Sequence, residues 1–443
     1  MSHAEHRARL FEALPDSVAF LLGARQELRP GTDAEKPFRQ DSNFLYLSGC
    51  DEPDCGLLLD SRYGVFILFV PRPSPGDEIW SGPPETREAK RDRYGATDVL
   101  YIDELSAALQ NTSGRLVHLS EHVPCYGFPP DANTVFDLDP VIANLRLFKT
   151  SWEAEQMWRS CQISADAQTA VLTNFKPGMM EYQGAALYQG YVMACGATHL
   201  SFPTIFASGP NPATLHYTGR SRKSTLGELI LIDSGCEING YASDHSRTFP
   251  VGENFTERQA QLYGLVLRAQ KECIELCRPG TSWMDVHLHA LRVILEGLRN
   301  LGIVRADRDF QEQLMQGVSA VFMPHGIGHL IGLDDHDVGG YNPGEQRPDG
   351  PLFKYLRTNK VLAPMMAVTI EPGLYFVDGL LRSAAEDPAL VQHINFDAVA
   401  QYRLEFAGCR IEDVILVTTD GPRVMPGAPK EIADICQLRS LAQ

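Results

Sequence analysis

Two aspartates beside a short predicted hairpin have the side chains and spacing to bind a metal ion. Residues 229–232 form an apolar run that predicts a strand ending near Asp233, and residues 240–249 predict its returning partner, which carries Asp244. An unpaired carboxylate beside such an apolar run is energetically costly. Both carboxylates therefore have reason to face one cavity, and the alternative is a turn aspartate together with a surface aspartate.

Two glutamates further along the chain have similarly apolar surroundings. Glu371 follows Thr369 and Ile370, and Glu412 precedes the apolar run 414–417, so each is predicted inside a strand. Glutamate is rarely buried unless it is paired or binds a metal, because an isolated carboxylate is poorly solvated in a protein interior. The alternative for each glutamate is a salt bridge to a neighbouring arginine such as Arg410.

Three histidines fall within one short segment. His325 and His329 have the spacing of a zinc-protease helix, but Gly326 stands where that helix needs its catalytic glutamate, and Gly328 further disfavours a helix. A loop or strand edge is therefore predicted here. His336 follows in a polar stretch, and a structural hydrogen bond is the alternative role for each ring.

Together these positions offer four carboxylates and a nearby imidazole. A mainly oxygen-donor set suits harder ions, so two divalent metal ions are predicted, with Mn²⁺ favoured over Co²⁺ and Zn²⁺. Four negative charges balance two dications, which can hold a hydroxide nucleophile and polarise a scissile carbonyl. No Ser-His-Asp or Gly-x-Ser-x-Gly arrangement competes for a hydrolytic role.

These side chains need a scaffold, and residues 151–443 are predicted to supply it. Thr150 and Glu153 form a capping box that starts a long helix, and a second helix follows Pro177 and Gly178. Strands, two further helices and a strand-rich end come next. Helices followed by antiparallel strands predict an α+β catalytic domain.

Residues 1–150 are predicted to form a smaller α/β domain, because short apolar runs alternate there with turn clusters. The net charge of -17 argues against nucleic-acid binding, and no apolar run is long enough to span a membrane. The ten cysteines include no Cys-x-x-Cys pair, so reduced thiols and a cytoplasmic location are predicted.

Four motifs together resemble one family of enzymes. Residues 231–249, 322–340, 368–376 and 409–417 occur in the order and context typical of the pita-bread metallopeptidases, and the resemblance extends over nearly the whole chain. It implies a pita-bread fold for the catalytic domain and two metal ions. It implies Asp233 as a ligand of one ion, Asp244 and Glu412 as ligands of both, and His329 and Glu371 as the remaining ligands.

The resemblance also implies roles in catalysis and substrate binding. Glu371 is expected to act as general base and His336 to stabilise the tetrahedral intermediate. His216 is expected to shape a proline pocket, and His325 and Arg410 to support the site.

The expected substrate follows from two further features. Arg357 resembles the arginine with which the prolidase branch of this family binds the C-terminal carboxylate of a dipeptide, and residues 379–408 resemble an insertion of that branch. An ordinary surface cation is the alternative for Arg357. Hydrolysis of Xaa-Pro dipeptides is therefore predicted; the alternatives are an aminopeptidase P acting on longer peptides and a metal-free protein that only binds peptides.

Two residues give expectations about assembly and about departures from the family. A tryptophan like Trp80 can reach the active site of a neighbouring subunit in this family, which implies a homodimer, although core packing is the alternative. His245 stands beside Asp244 where the family usually has isoleucine, and a surface position is favoured for it.

Overall fold

The computed structural model of the protein describes residues 2–110, 116–119 and 135–441. The chain divides between Arg146 and Leu147, whereas the sequence placed the boundary at residue 150. The predicted capping box is confirmed at the start of the first long helix of the second unit, which begins at Ser151. Thr150 N donates to Glu153 Oε2 at 2.7 Å, and Glu153 N donates to Thr150 Oγ1 at 3.3 Å.

The N-terminal unit is an α/β domain on one six-stranded sheet, as predicted. Its strands are β1 (Ser17–Leu22), β2 (Gly56–Asp60), β3 (Val65–Val70), β4 (Asp98–Tyr101), β5 (Leu116–Leu119) and β6 (Val135–Asp137). Its helices are α1 (Ser2–Ala13), α2 (Ser42–Ser48), α3 (Glu78–Ser81), α4 (Arg87–Tyr94), α5 (Leu105–Gln110) and α6 (Asp139–Leu147). The strand order is β4-β3-β2-β1-β5-β6, and Val18, Phe20, Leu58 and Phe69 form its core with Leu109.

The C-terminal unit combines long helices with short antiparallel sheets. Its helices are α7 (Ser151–Asn174), α8 (Glu181–Ala194), α9 (Glu257–Leu276), α10 (Trp283–Asn300), α11 (Phe310–Met315), α12 (Val318–Phe322), α13 (Asp378–Glu386), α14 (Pro388–Val391), α15 (Phe396–Tyr402) and α16 (Ile432–Ser440). Its strands are β7 (His199–Leu200), β8 (Ile205–Ser208), β9 (Leu229–Ser234), β10 (Cys236–Ile238), β11 (Tyr241–Ala242), β12 (His245–Pro250), β13 (Ala367–Ile370), β14 (Gly373–Tyr375), β15 (Gly408–Arg410), β16 (Asp413–Thr418) and β17 (Gly421–Val424). This arrangement agrees with the predicted α+β class.

Three small sheets of this unit carry or adjoin the predicted metal ligands. Their strand orders are β12-β9-β8, β13-β16-β17 and β14-β15, with every pair antiparallel. The predicted return of the 240–249 segment beside the 229–234 strand is confirmed by the β9/β12 register. Apolar faces of α7, α9 and α10 pack against these sheets in one buried cluster, centred on residues such as Val171, Val266 and Trp283.

The cysteines and helices bear on two expectations from the sequence. The nine cysteines in the described part of the chain are all free thiols, and seven of them are buried; Cys125 lies outside the described residues. Among the helices of the described ranges, none is long and apolar enough to cross a bilayer.

Candidate metal centre

Asp233 and Asp244 lie close together on adjoining strands. β9 and β12 pair with Ser246 opposite Asp233, and Asp244 immediately precedes β12. Both side chains line a cavity of about 400 Å³ in the C-terminal unit. Gly235 lets the hairpin close, because a Cβ atom there would lie 1.8 Å from the carbonyl oxygen of Ser243.

Glu371 and Glu412 flank the pair formed by Ile370 of β13 and Asp413 of β16, and both line the same cavity. The prediction that these glutamates lie inside strands is wrong. Glu371 follows the last residue of β13, and Glu412 lies in the short break between β15 and β16. Pro372 follows Glu371 and lacks the N–H needed to continue the ladder, so Glu371 stands at a strand end. Glu412 N donates instead to the Ser246 carbonyl oxygen at 3.0 Å.

His329 approaches the carboxylates from the predicted loop, which lies alongside β13. Thr369 N donates to the His329 carbonyl oxygen at 2.9 Å. Gly328 allows this close approach, because a Cβ atom there would lie 2.0 Å from the Thr369 carbonyl oxygen. Nδ1 of His329 lies 3.0 Å from the carbonyl oxygen of Leu330. This contact orients the ring and leaves Nε2 available as a metal ligand.

The ligand atoms converge within the cavity. Nε2 of His329 lies 3.3 Å from Oδ2 of Asp244 and 3.7 Å from Oε1 of Glu371. One ligand atom from each of Asp244, His329 and Glu412 lies within 4.8 Å of the other two. Oδ1 of Asp233, Oδ1 of Asp244 and Oε1 of Glu412 are buried with no hydrogen-bond partner. Such carboxylate oxygens are costly unless a cation binds them, so these residues fit a divalent metal ion.

The electrostatics of the cluster also favour a cation. Burial, followed by repulsion from neighbouring carboxylates, raises the pKa values of Asp244 and Glu412 well above their ordinary range. Burial likewise raises the pKa of Glu371 to about 8. Burial lowers the pKa of His329 to about 4, which keeps the ring neutral and able to coordinate at pH 7. Positive charge at the centre of the cluster would allow the carboxyl groups to ionise.

Asp335 is a fifth carboxylate at the cluster, which we did not single out from the sequence. It lines the cavity, and its Oδ1 is buried without a hydrogen-bond partner. Burial raises its pKa to about 7, while a hydrogen bond with the Asp244 carboxyl group lowers it. The signal in the sequence was the largely apolar stretch at residues 330–333, the same context that drew attention to Asp233.

Arg410 holds the outer side of the ligand set. Its Nη2 lies 2.6 Å from Oδ2 of Asp233, its Nε donates to Ser246 Oγ at 2.7 Å, and its Nη1 donates to Tyr375 Oη at 2.8 Å. Ser246 Oγ donates in turn to Glu412 Oε2 at 3.0 Å. The alternative in which Arg410 forms salt bridges with the two glutamates is therefore wrong, because its ion pair is with Asp233.

His325 lies behind Glu371 rather than among the converging oxygens. Its Nε2 lies 3.1 Å from Tyr375 Oη, and its Nδ1 lies 2.8 Å from the Gly326 carbonyl oxygen and 3.8 Å from Oε2 of Glu371. Burial lowers the pKa of this ring to about 3. Tyr375 thus links His325 with Arg410, a role that its apolar strand context did not reveal in the sequence.

The predicted substrate-binding residues of the C-terminal unit line the cavity from loops. His216, His336 and Arg357 all contribute to its wall. The His336 ring packs edge-on against His329 with centroids 4.4 Å apart. Trp80 belongs to the N-terminal unit, where it lies in α3 with 88% of its surface exposed. The core alternative for Trp80 is therefore wrong, and its approach to a neighbouring subunit stays a prediction.

His245 departs from the expected surface position. Its side chain is completely buried, and its Nδ1 lies 3.4 Å from Ser164 Oγ of α7. Gln168 of the same helix donates to the His245 backbone carbonyl at 2.7 Å. Side chains alternate across a strand, so the residue after Asp244 points away from the cavity and into the interface with α7.

Comparison with known proteins gives a family for both units. Residues 155–419 match metallopeptidase family M24, and residues 3–118 match the aminopeptidase P N-terminal domain. The chain is 35% identical to a human Xaa-Pro dipeptidase, over 98% of this chain and 92% of that one. It is also 35% identical to a probable Xaa-Pro aminopeptidase from Metarhizium acridum, over 95% and 85% of the two chains.

Solved structures agree with this assignment. Zinc-substituted Escherichia coli aminopeptidase P in complex with product has a TM-score of 0.85 and 30% identity, with 100% of this chain and 98% of that chain covered. Pseudomonas aeruginosa aminopeptidase PepP has a TM-score of 0.84 and 30% identity, with 99% and 98% covered. The chain therefore belongs to metallopeptidase family M24, with the aminopeptidase P-like N-terminal domain and pita-bread catalytic domain of its relatives.

Proposed function

We propose that this metallopeptidase hydrolyses Xaa-Pro dipeptides with two divalent metal ions, Mn²⁺ in preference to Co²⁺ or Zn²⁺. The convergence of Asp244, His329 and Glu412 carries this proposal, together with Asp233 and Glu371 on the same cavity wall. Asp233 would bind one ion, and Asp244 and Glu412 would bind both ions. His329 and Glu371 would be the remaining ligands. When bound, two such ions supply an activated water and polarise the scissile carbonyl group.

Glu371 is the residue that we propose for proton transfer. Its side chain is 19% exposed, against 11% for Asp233 and 6% for Asp244, so it is more open to substrate than either aspartate. It would take a proton from the attacking water and deliver it to the leaving proline nitrogen. His325, 3.8 Å from Oε2 of Glu371, limits the orientations of that carboxylate.

His336 is suited to stabilise charge that develops on the substrate. Burial and the neighbouring His329 lower the pKa of His336 to about 3, so the ring is neutral at pH 7. A neutral imidazole carries one N–H, which can donate to the scissile carbonyl oxygen as it becomes negative. The ring is 43% exposed and faces the cavity, so it is accessible to a bound peptide.

The restriction to dipeptides rests on Arg357. Its guanidinium lines the cavity that holds the carboxylate cluster, where it can pair with the C-terminal carboxylate of a two-residue substrate. A longer peptide has no carboxylate at that position. The segment 379–408, the second feature behind the dipeptidase prediction, contains α14, α15 and most of α13.

The metal part of the proposal is tested by removing and restoring ions. The chelated protein should lose hydrolysis of Gly-Pro, and Mn²⁺ should restore it with two ions bound per chain, as counted by mass spectrometry of bound metal. Co²⁺ and Zn²⁺ provide the comparison between ions. A purified wild-type protein with no affinity for any of these ions would contradict the proposal.

The length restriction is tested by the Arg357→Ala variant on Gly-Pro and on Arg-Pro-Pro. Loss of a charge-assisted pair should lower kcat/KM for the dipeptide by about 10- to 100-fold and leave that for the tripeptide nearly unchanged. Lys354→Ala is the matched control, because Lys354 is a nearby cation that contacts Tyr355 and does not line the cavity. Equal losses on both substrates would remove Arg357 from this role.

Aminopeptidase P activity is the second candidate, because the similar Escherichia coli structure is an aminopeptidase P, and the Pseudomonas aeruginosa structure and the fungal relative are named as aminopeptidases. Rapid release of arginine from Arg-Pro-Pro with little cleavage of Gly-Pro would establish it over the dipeptidase.

A homodimer in the cytoplasm completes the proposal. Trp80 and the adjacent Ile79 are 88% and 76% exposed on the N-terminal unit, which supports a contact with a second chain. Analytical ultracentrifugation of the wild type and Trp80→Ala tests the dimer, and cell fractionation tests the location.

A further inference from the structure

Glu181 is a buried carboxylate at the start of α8 that receives an unusual number of hydrogen bonds. Its side chain has no solvent exposure. Oε1 accepts from Ser208 N at 2.7 Å, Ser208 Oγ at 2.8 Å and Asn211 Nδ2 at 2.8 Å. Oε2 accepts from Tyr217 Oη at 2.8 Å and Arg222 N at 3.0 Å. All five donors belong to the segment 208–222, which we call the His216 loop.

The backbone of α8 reinforces this contact. Glu181 N donates to the Arg222 carbonyl oxygen at 2.9 Å. Gly184, three residues further along the helix, lies against Phe206 of β8, where a Cβ atom would approach the ring to 2.1 Å. Residues three apart share one face of a helix, and residues two apart share one face of a strand. The tight contact of Gly184 with Phe206 thus places Glu181 opposite Ser208.

The His216 loop has little internal structure of its own. Its one regular element beyond Ser208, the last residue of β8, is a single 3-10 turn at Asn211–Ala213. Leu215, His216 and Thr218 line the cavity that holds the carboxylate cluster. Within the described residues, the His216 ring has no hydrogen bond that would fix it. Its position therefore depends on the backbone around it, and Tyr217, the next residue, is tied to Glu181.

We infer that Glu181 is a positioning residue, which holds the His216 loop as the substrate-facing wall of the cavity. This inference rests on the proposed function, because the wall is assigned there to binding of the substrate proline. Glu181 does not touch the cavity, so it acts on substrate only through the loop. A displaced wall weakens binding of substrate and transition state alike, which raises KM and leaves kcat nearly unchanged.

Glu181→Gln is the sharpest variant, because each carboxylate oxygen of Glu181 accepts one backbone N–H. Whichever way the glutamine amide is turned, its NH₂ group faces a backbone donor that cannot reorient. We expect KM for Gly-Pro to rise about tenfold, with kcat within about threefold. Tyr217→Phe removes one of the five bonds without changing any charge, and it replaces Glu181→Gln should that variant fail to fold.

Glu153→Gln is the matched control. Glu153 is also buried in the first turn of a helix and accepts from a backbone N–H and a tyrosine hydroxyl, those of Thr150 and Tyr241. Neither partner lines the cavity. This control should lower the unfolding temperature without the selective rise in KM.

A double-mutant cycle with His216→Ala separates positioning from general destabilisation. Glu181→Gln should cost less than about twofold in kcat/KM when His216 is already alanine, because coupled residues are not additive. Equal costs in both backgrounds would overturn the inference.

Hydrogen exchange decides the question independently of catalysis. Peptides from the His216 loop should exchange faster in Glu181→Gln, whereas peptides from β9 should not change. Unchanged exchange in the loop would also overturn the inference. A wild type that cleaves no Xaa-Pro peptide would contradict the proposed function alone. Hydrogen exchange would still test whether Glu181 holds the His216 loop, because that measurement does not depend on catalysis.

Discussion

The two sides of the cavity are built differently. The four proposed carboxylate ligands on the metal-facing side lie in or directly beside paired strands, as with Asp233 in β9 and Glu371 after β13. On the substrate-facing side, His216 and Arg357 lie on stretches without helix or strand, and Arg347 and Tyr355 share that character. Among the five proposed ligands only His329 lies on a loop, and that loop is hydrogen-bonded to β13. Asp335, the further carboxylate at the cluster, also lies on a loop.

This difference separates the geometry of the reaction from the choice of substrate. Ligand positions need accuracy of a fraction of an ångström, which paired strands and buried hydrogen bonds can provide. Loops tolerate sequence change, so the residues that bind and select the substrate can vary without disturbing the metal ligands. Changes on the metal-facing side should therefore affect metal content, and changes on the substrate-facing side should affect KM.

The largest effect is expected from Glu412→Gln on the metal-facing side. Loss of a hydrogen-bonded outer partner of a metal ligand already costs about 10- to 100-fold in affinity, so loss of a proposed ligand should exceed about 100-fold. Bound metal and Gly-Pro hydrolysis should fall together. Asp420→Asn, in the turn before β17, is the control. Full metal content in Glu412→Gln would contradict the expectation that changes on the metal-facing side affect metal binding.

The next largest effect is expected from Arg247→Met, because Arg247 binds the backbone at Glu412. Arg247 donates to the Glu412 carbonyl oxygen at 2.7 Å, and its Nη2 lies 2.6 Å from Oδ1 of buried Asp413. Arg247→Met leaves Asp413 with Lys430 as its remaining cation at 2.5 Å, and should cost about 3 kcal/mol of unfolding free energy at pH 7.

The cost of Arg247→Met should depend on pH in a defined direction. Burial opposes ionisation of Asp413, but Arg247 and Lys430 hold its pKa well below the ordinary value. A depressed carboxyl pKa contributes stability at neutral pH that is lost only in strong acid. Without Arg247 the pKa rises, so the gap in unfolding free energy between the variant and the wild type should narrow once pH falls below the raised pKa of the variant. Thermal unfolding from pH 7 down into strong acid measures this gap, and a gap that widens in acid would contradict the expectation.

Hydrophobic patterning was sufficient to predict much of the metal-facing side. The β9/β12 hairpin follows from an apolar run, a turn and a returning run, which are local features. The N-terminal sheet and the capping box at Thr150 are predictable for the same reason. The expectation that Glu371 and Glu412 lie within strands failed because strand ends depend on Pro372 and on pairing between distant segments.

Interactions between distant segments account for what the sequence did not reveal. Asp335 meets Asp244 only because the loop that follows His329 contacts β11, where Ala242 N donates to the Gly332 carbonyl oxygen at 2.8 Å. The apolar stretch before Asp335 does not distinguish it from its neighbour Asp334. The predicted surface position of His245 was wrong for a similar reason. The helix that buries this residue is α7, which lies more than seventy residues earlier in the chain. The five bonds to Glu181 also join segments that the sequence does not connect.

Asp335→Asn tests whether a loop residue can act on the metal-facing side. Removing its charge while keeping its shape should weaken Mn²⁺ binding by about tenfold, with less effect on KM measured at saturating metal. Asp334→Asn is the matched control, since Asp334 is adjacent and does not line the cavity. Titration calorimetry with Mn²⁺ measures both variants. If the wild type and Asp335→Asn bound Mn²⁺ with equal affinity, Asp335 would have no part in metal binding. Only the ligands at strands and His329 would then determine the affinity.

The smallest effect is expected from Glu228→Gln, at the outer edge of the His216 loop. Arg222 Nη1 lies 2.6 Å from Oε2 of Glu228, and both side chains are partly exposed. Pairs of this kind stabilise by about 1 kcal/mol or less, so the unfolding temperature should barely change. Because Arg222 ends the loop, KM for Gly-Pro should rise by about twofold while bound metal stays constant. A fall in metal content with KM unchanged would instead couple the loop to the ligands, and the two sides of the cavity would then act as one unit.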